Sequence, residues 1–178
     1  MAESNILLAG FGGQGILFAG KFIVYTGLIA DKHVSWLPSY GPEMRGGTAN
    51  CSVIVSDAEI GSPIVTNPDI LIVMNRPSLD RYEKDCKSNG FAFVNSTLID
   101  KKVERRDVRP RYIPATELAD EHGIPKLANM VMVGYVIKQT GICTQKDIFA
   151  AMKKTVPERK TELFDGNMRA VQIGYSYE

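Results

Sequence analysis

Two glycine-bearing segments carry the residue types suited to an anionic ligand. The first, Gly10-Phe11-Gly12-Gly13-Gln14-Gly15, fits the pattern G-x-G-x-x-G. It ends the apolar run Ile6–Phe11 and opens a segment whose apolar residues recur at helical spacing. In that setting glycines let the backbone turn sharply, approach a phosphate and pack helix on strand, while N–H groups at the helix start attract negative charge. Gln14 adds an amide that could donate to a ligand oxygen or cap its own turn. A dinucleotide site also needs an acidic residue at the end of the second strand, about 20 residues on. That region reads Trp36-Leu37-Pro38-Ser39, with Asp31 ahead of it and Glu43 beyond it. The motif therefore points to phosphate or cofactor contact, or to a tight turn alone, ahead of tight NAD binding.

The second segment runs from Trp36 to Asn50. Pro38 and Pro42 restrict φ and extend the residues before them, while Gly41, Gly46 and Gly47 admit backbone that other residues avoid. The loop carries Ser39, Tyr40, Glu43 and Arg45. A guanidinium can grip a phosphate or carboxylate bidentately, so Arg45 is a candidate anion contact; pairing with Glu43 is the alternative. Tyr40 reads as a packed loop anchor rather than a catalytic phenol. Asn75 follows the apolar run Ile70–Met74, at a strand end where ligands bind but where asparagine also forms turns. Asn129, on an apolar helix, reads as a satisfied structural amide or part of a subunit contact. His33 and His122 have no triad-like neighbours. The charged run Lys101–Arg109 reads as a solvated face, with subunit docking the alternative.

These residues need elements to hold them. Ile6–Phe11 reads as a strand buried on both faces, followed by a helix from Gln14 that ends between Gly27 and Asp31. His33–Leu37 reads as a short strand halted by Pro38. Ala49–Ser56 is a strand that the turn Asp57-Ala58-Glu59 would fold into a hairpin with Ile60–Val65. Ile70–Met74 and Phe91–Val94 are buried strands, and Tyr112–Pro114 a short one. Pro77 suits a helix start, with the helix running to about Cys86. Thr116–His122, Leu127–Thr140, Thr144–Thr155 and a last stretch from Pro157 to Gly174 read as helices, and Thr144 with Asp147 is an N-terminal capping pattern. This order specifies an α/β chain: a single domain spanning residues 1–178, with an open, mostly parallel, Rossmann-like sheet, helices on both faces and a helical C-terminal third.

Composition narrows the function classes. The 178 residues are 44% hydrophobic and 23% charged, ordinary for a folded globular chain and far from disordered or fibrous sequences. Lys and Arg number 21 against 20 Asp and Glu, a net charge of +1 that offers no basic footprint for nucleic acid or an anionic membrane. The most apolar stretch, Leu127–Ile137, falls short of the roughly 20 residues a membrane helix needs. The N-terminus lacks the basic start of a secretory signal. Cys51, Cys86 and Cys143 lack C-x-x-C spacing and are too few for an ordinary iron–sulfur cluster or structural zinc site. Reduced thiols in a cytoplasmic protein are the expectation.

Gly10–Gly15, followed by Trp36-Leu37-Pro38-Ser39-Tyr40-Gly41-Pro42-Glu43-Met44-Arg45-Gly46-Gly47-Thr48-Ala49-Asn50-Cys51, resembles the gamma subunit of the 2-oxoacid:ferredoxin oxidoreductases. Within that family it is most similar to the 2-oxoglutarate (KorC-type) branch. Gly61-Ser62-Pro63, Met74-Asn75, Pro77-Ser78-Leu79-Asp80, Asn95-Ser96, Pro114-Ala115-Thr116-Glu117 and Asn129-Met130-Val131-Met132 extend the likeness along nearly the whole chain. The resemblance implies a subunit, inactive alone, of an enzyme that oxidatively decarboxylates a 2-oxoacid to an acyl-CoA and reduces ferredoxin. It places thiamine diphosphate, Mg and iron–sulfur clusters on partner subunits (alpha, beta and in some cases delta), with coenzyme A as co-substrate. The candidate site residues are Gly10, Gly12, Gly13, Gln14, Gly15, Ser39, Tyr40, Gly41, Glu43, Arg45, Gly46, Gly47 and Asn75. A stand-alone nucleotide-binding oxidoreductase and a small-molecule regulatory module are the competing readings.

Overall fold

The computed structural model describes residues 3–39, 48–157 and 159–178. Among them, six strands form one sheet: β1 (Glu3–Phe11), β2 (His33–Ser39), β3 (Thr48–Ser56), β4 (Ile70–Val73), β5 (Phe91–Asn95) and β6 (Arg109–Ile113). Their order is β2-β3-β1-β4-β5-β6. The pairs β1–β4, β4–β5 and β5–β6 are parallel. Only β3 is reversed, antiparallel to β1 on one side and to β2 on the other.

Ile6–Ala9 and Ile70–Val73 are buried on both faces, which is why their apolar residues run on without alternating. Ile6, Leu8, Ile70, Ile72 and Phe93 point into the larger core with α1 (Ile16–Ile29), α3 (Ala115–Glu121), α4 (Ala128–Thr140), α5 (Gln145–Thr155) and α6 (Thr161–Ser176). Leu7, Leu71, Val73, Ala92 and Val94 face the other side, where Leu79 of α2 (Arg76–Tyr82), Cys86, Ile99 and Val108 cover them. Helices thus lie on both faces, as expected, but very unequally. The helical C-terminal third is also present. Its tightest crossing joins α4 and α6: a Cβ on Gly134 would overlap the Val171 carbonyl, and one on Gly174 the Val131 carbonyl.

Two local expectations fail. The segment Ile60–Val65 forms no strand, because both edges of β3 are already taken by β1 and β2. Strand β2 continues through Pro38 to Ser39; it is the edge of the sheet, where a missing N–H need not break a ladder. By contrast, Thr144 and Asp147 form the reciprocal cap of α5, and Asn75 caps α2 ahead of Pro77.

Candidate functional site

The chain leaves β1 for α1 and the β2–β3 side of the sheet, whereas β4 lies on β1's other flank. This reversal opens a crevice outside the carboxyl ends of two parallel strands, the usual ligand position in such sheets. A cleft of about 370 Å³ lies there, lined by Gly13, Gln14, Met74, Leu98, Lys126 and Asn129.

The glycine turn builds one wall. Gly13 and Gly15 have φ of 92° and 72°, a region that favours glycine. The Gln14 N–H donates to the Phe11 carbonyl at 3.1 Å. The Gln14 side chain accepts from the Phe11 N–H at 2.6 Å and donates to the Met74 carbonyl at 3.1 Å. The opposite wall is the start of α4, whose Asn129 donates through Nδ2 to the Gly15 carbonyl at 3.0 Å. Asn129 is 5% exposed, and its Oδ1 has no hydrogen-bond partner.

The electrostatics favour an anion. Neither α1 nor α4 has a side-chain cap or an acidic residue in its first turn. The positive dipole ends of two helices without side-chain caps therefore meet at one crevice. Lys126, exposed just before α4, adds a charge that no carboxylate among the described residues pairs. Phe11 and Leu98, 39% and 48% exposed, leave apolar surface at the same edge.

The suggested residues fall into distinct places. Gly12 and Gly13 are exposed, and Gly13 lines the cleft. A Cβ on Gly10 would lie 2.7 Å from Gln14 Oε1, and one on Gly15 would overlap Asn129 Nδ2. Asn75 is 2% exposed, and its Oδ1 accepts from the Ser78 N–H at 2.8 Å; that amide caps a helix under the crevice. Ser39 ends β2, in register with Asn50 and through it with Ala9. Two strand spacings, roughly 10 Å, therefore separate it from the glycine turn. Tyr40, Gly41, Glu43, Arg45, Gly46 and Gly47 lie outside the described residues. Lys126 and Leu98 were not singled out from sequence; the one signal for Lys126 was a lysine before an apolar helix whose first turn holds no acid.

The remaining reactive groups are spent elsewhere. Burial pushes the Cys51 and Cys143 thiols up to about 12, against weaker hydrogen bonds from Trp36 and Thr26, and pushes Cys86 up to about 11. In the Lys101–Arg109 run, Lys101 pairs with Asp80 and Glu104 and Arg105 with Asp107, while Glu83 accepts the Glu104 and Arg105 N–H groups. That run is a stitched surface loop. His122 Nδ1 lies 2.8 Å from the Leu118 carbonyl, part of a helix end. No helix among the described residues is long and apolar enough to cross a membrane.

Known proteins share this chain's sequence and fold. The ketoisovalerate oxidoreductase subunit VorA of Methanothermobacter thermautotrophicus is 36% identical over 97% of this chain, which spans only 36% of that longer relative. The 2-oxoglutarate synthase subunit KorC of the same organism is 38% identical over 97% of this chain and 93% of its own length. Among solved structures, the keto/oxoacid ferredoxin oxidoreductase gamma subunit from Geobacter sulfurreducens PCA superposes with a TM-score of 0.84 at 28% identity, covering 98% of this chain and 95% of that one. The resemblance read from the glycine turn and the following loop is thereby borne out. The family model for pyruvate ferredoxin/flavodoxin oxidoreductase matches residues 5–177, and the chain belongs to that family.

Proposed function

We propose that this chain is the gamma subunit of a thiamine-diphosphate-dependent 2-oxoacid:ferredoxin oxidoreductase, with 2-oxoglutarate the favoured substrate and coenzyme A the co-substrate received at the carboxyl-edge crevice. The observation that carries the reading is the meeting of two helix N-termini without side-chain caps, Lys126 and the exposed Gly13 backbone at one cleft. That set suits the phosphates of coenzyme A and contains no group placed to break a carbon–carbon bond. The chain therefore binds and orients, and the chemistry falls to companion subunits. Thiamine diphosphate would supply the carbanion chemistry when bound there. The thiols here do not suit a cluster: Cys51 and Cys86 sit in different packing clusters and, like Cys143, are held protonated by burial. Exposed Phe11 and Leu98 beside the cleft fit closure by a companion protein.

Co-expression with the companion chains, followed by assay of the purified complex for iron, thiamine and 2-oxoacid-dependent dye reduction, tests the proposal. Turnover that requires coenzyme A and is absent from the isolated chain is the expected result. Saturable NAD(P) binding by the isolated chain, without any iron-bearing partner, would instead support a stand-alone oxidoreductase. Strand β2 ends at Ser39 with no acidic residue to hold a ribose.

A further inference from the structure

The glycine motif is shaped by two amides as much as by any ligand. Gln14 uses both ends of its side chain inside the protein: Oε1 accepts from the Phe11 N–H at 2.6 Å, and Nε2 donates to the Met74 carbonyl at 3.1 Å. The first bond closes the turn upon itself. The second crosses the strand reversal and ties the turn to the end of β4, where the Met74 N–H already donates to the Ala9 carbonyl at 2.9 Å. Gly10 is small because Gln14 Oε1 and Ile16 Cδ1 each lie 2.7 Å from where its Cβ would be. Gly15 is small because Asn129 occupies that space and donates to its carbonyl. Gly13 differs: a Cβ there meets nothing within 4 Å, so it borders open space and needs glycine only for its φ of 92°.

We propose that Gln14 is a positioning residue: its amide, spent on Phe11 and Met74, sets the separation between the glycine turn and β4, and it acts on the ligand only through the Gly12–Gly13 backbone. Asn129 holds the other end of the turn against α4, so the backbone that meets the ligand is fixed at two points before anything binds. Preorganisation of this kind lowers the ordering cost of binding. The consequence for coenzyme A rests on the function proposed above; the role of Gln14 in holding the turn does not.

Two variants separate the arms. Gln14→Met removes both bonds. Gln14→Glu keeps an acceptor for the Phe11 N–H but sets a carboxylate against the Met74 carbonyl, with no proton to share until the carboxyl is protonated. In the full chain, amide exchange by NMR should accelerate at Phe11 in Gln14→Met and stay slow in Gln14→Glu. In the assembled enzyme, both variants should raise the KM for coenzyme A about tenfold, the effect of losing one or two such bonds, with the KM for the 2-oxoacid unchanged. The Gln14→Glu deficit in the coenzyme A KM should shrink as pH falls, because the protonated carboxyl again donates to Met74; a side chain needed only for stability would instead lower the amount of active enzyme and leave both KM values unchanged. Unchanged Phe11 exchange in Gln14→Met overturns the proposal. Faster exchange with an unaltered coenzyme A KM leaves Gln14 holding the turn and removes coenzyme A from this cleft.

Discussion

Asn129 donates its side-chain N–H to the carbonyl of Gly15, 3.0 Å away in space and 114 residues away in sequence. That bond joins the starts of α1 and α4, the two helices whose uncapped N-termini define the crevice. It also explains a glycine: no side chain fits at Gly15 while Asn129 stands there.

Gly15→Ala should therefore be more damaging than Gly13→Ala. Both meet a left-handed backbone, a penalty of roughly 1–2 kcal/mol for a residue with a Cβ, but only Gly15 adds a collision. A loss of about 3 kcal/mol for Gly15→Ala and about 1 kcal/mol for Gly13→Ala is expected in urea unfolding. Adding Asn129→Ala to Gly15→Ala should recover about 1 kcal/mol in a double-mutant cycle. Strict additivity would mean that the two residues do not meet.

The α4–α6 crossing makes a second stability prediction. Gly134→Ala or Gly174→Ala forces a methyl group into the facing backbone carbonyl and should cost roughly 3 kcal/mol. Gly123 has a φ of 69°, and a Cβ added there would meet nothing within 4 Å, so Gly123→Ala should cost only about 1 kcal/mol. Equal losses at all three positions, measured by thermal denaturation, would contradict the close crossing.

Lys126→Ala should raise the KM for coenzyme A in the assembled enzyme by about three- to tenfold, because it removes an unpaired cation from the mouth of the cleft. Raising the salt concentration should narrow the gap between wild type and variant as screening weakens the attraction. A salt-independent difference would argue for packing rather than charge.

Thiol reactivity follows from burial. With Cys51 and Cys143 pushed up to about 12 and Cys86 to about 11, little thiolate exists near pH 8. The native chain should resist iodoacetamide, and all three cysteines should react after denaturation. Rapid labelling of the native protein at any one of them would contradict its placement.

Asp69 links β4 to acid stability. Burial alone would raise its carboxyl, but the Lys87 ammonium at 2.9 Å and the Asn5 backbone and side-chain N–H groups outweigh that and hold it below the ordinary carboxylate range. A depressed folded value means a stabilisation present above the unfolded carboxylate value of about 3.9 and lost as pH falls through the folded one. Asp69→Asn should therefore lower Tm at neutral pH and flatten its decline on acidification. An unchanged acid limb would show that Asp69 contributes nothing there.

Strands β1, β4 and β5 were legible because burial on both faces writes an uninterrupted apolar run, and the glycine turn because it sits between such a run and a helical period. The insertion of β3 between β1 and β2 was not legible. Nothing in the local pattern of Ala49–Ser56 says that both its edges are claimed by earlier strands, so Ile60–Val65 looked like a free partner. Pro38 misled for a related reason, since only the finished sheet makes β2 an edge. Within the site, Gly10 and Gly15 were visible but their reason was not: each makes room for an amide, one of them delivered by a helix more than a hundred residues later. Lys126 belongs to no motif; its place at the cleft follows from α4 starting beside the turn.

The central claim is that the carboxyl-edge crevice receives coenzyme A once companion subunits surround it. Hydrogen exchange of the assembled enzyme, read peptide by peptide with and without coenzyme A, tests it most directly. Slower exchange confined to the segments around Phe11–Ile16 and Pro125–Val131 is the predicted result. No change in those segments at saturating coenzyme A, with protection appearing elsewhere on the complex, would contradict the account.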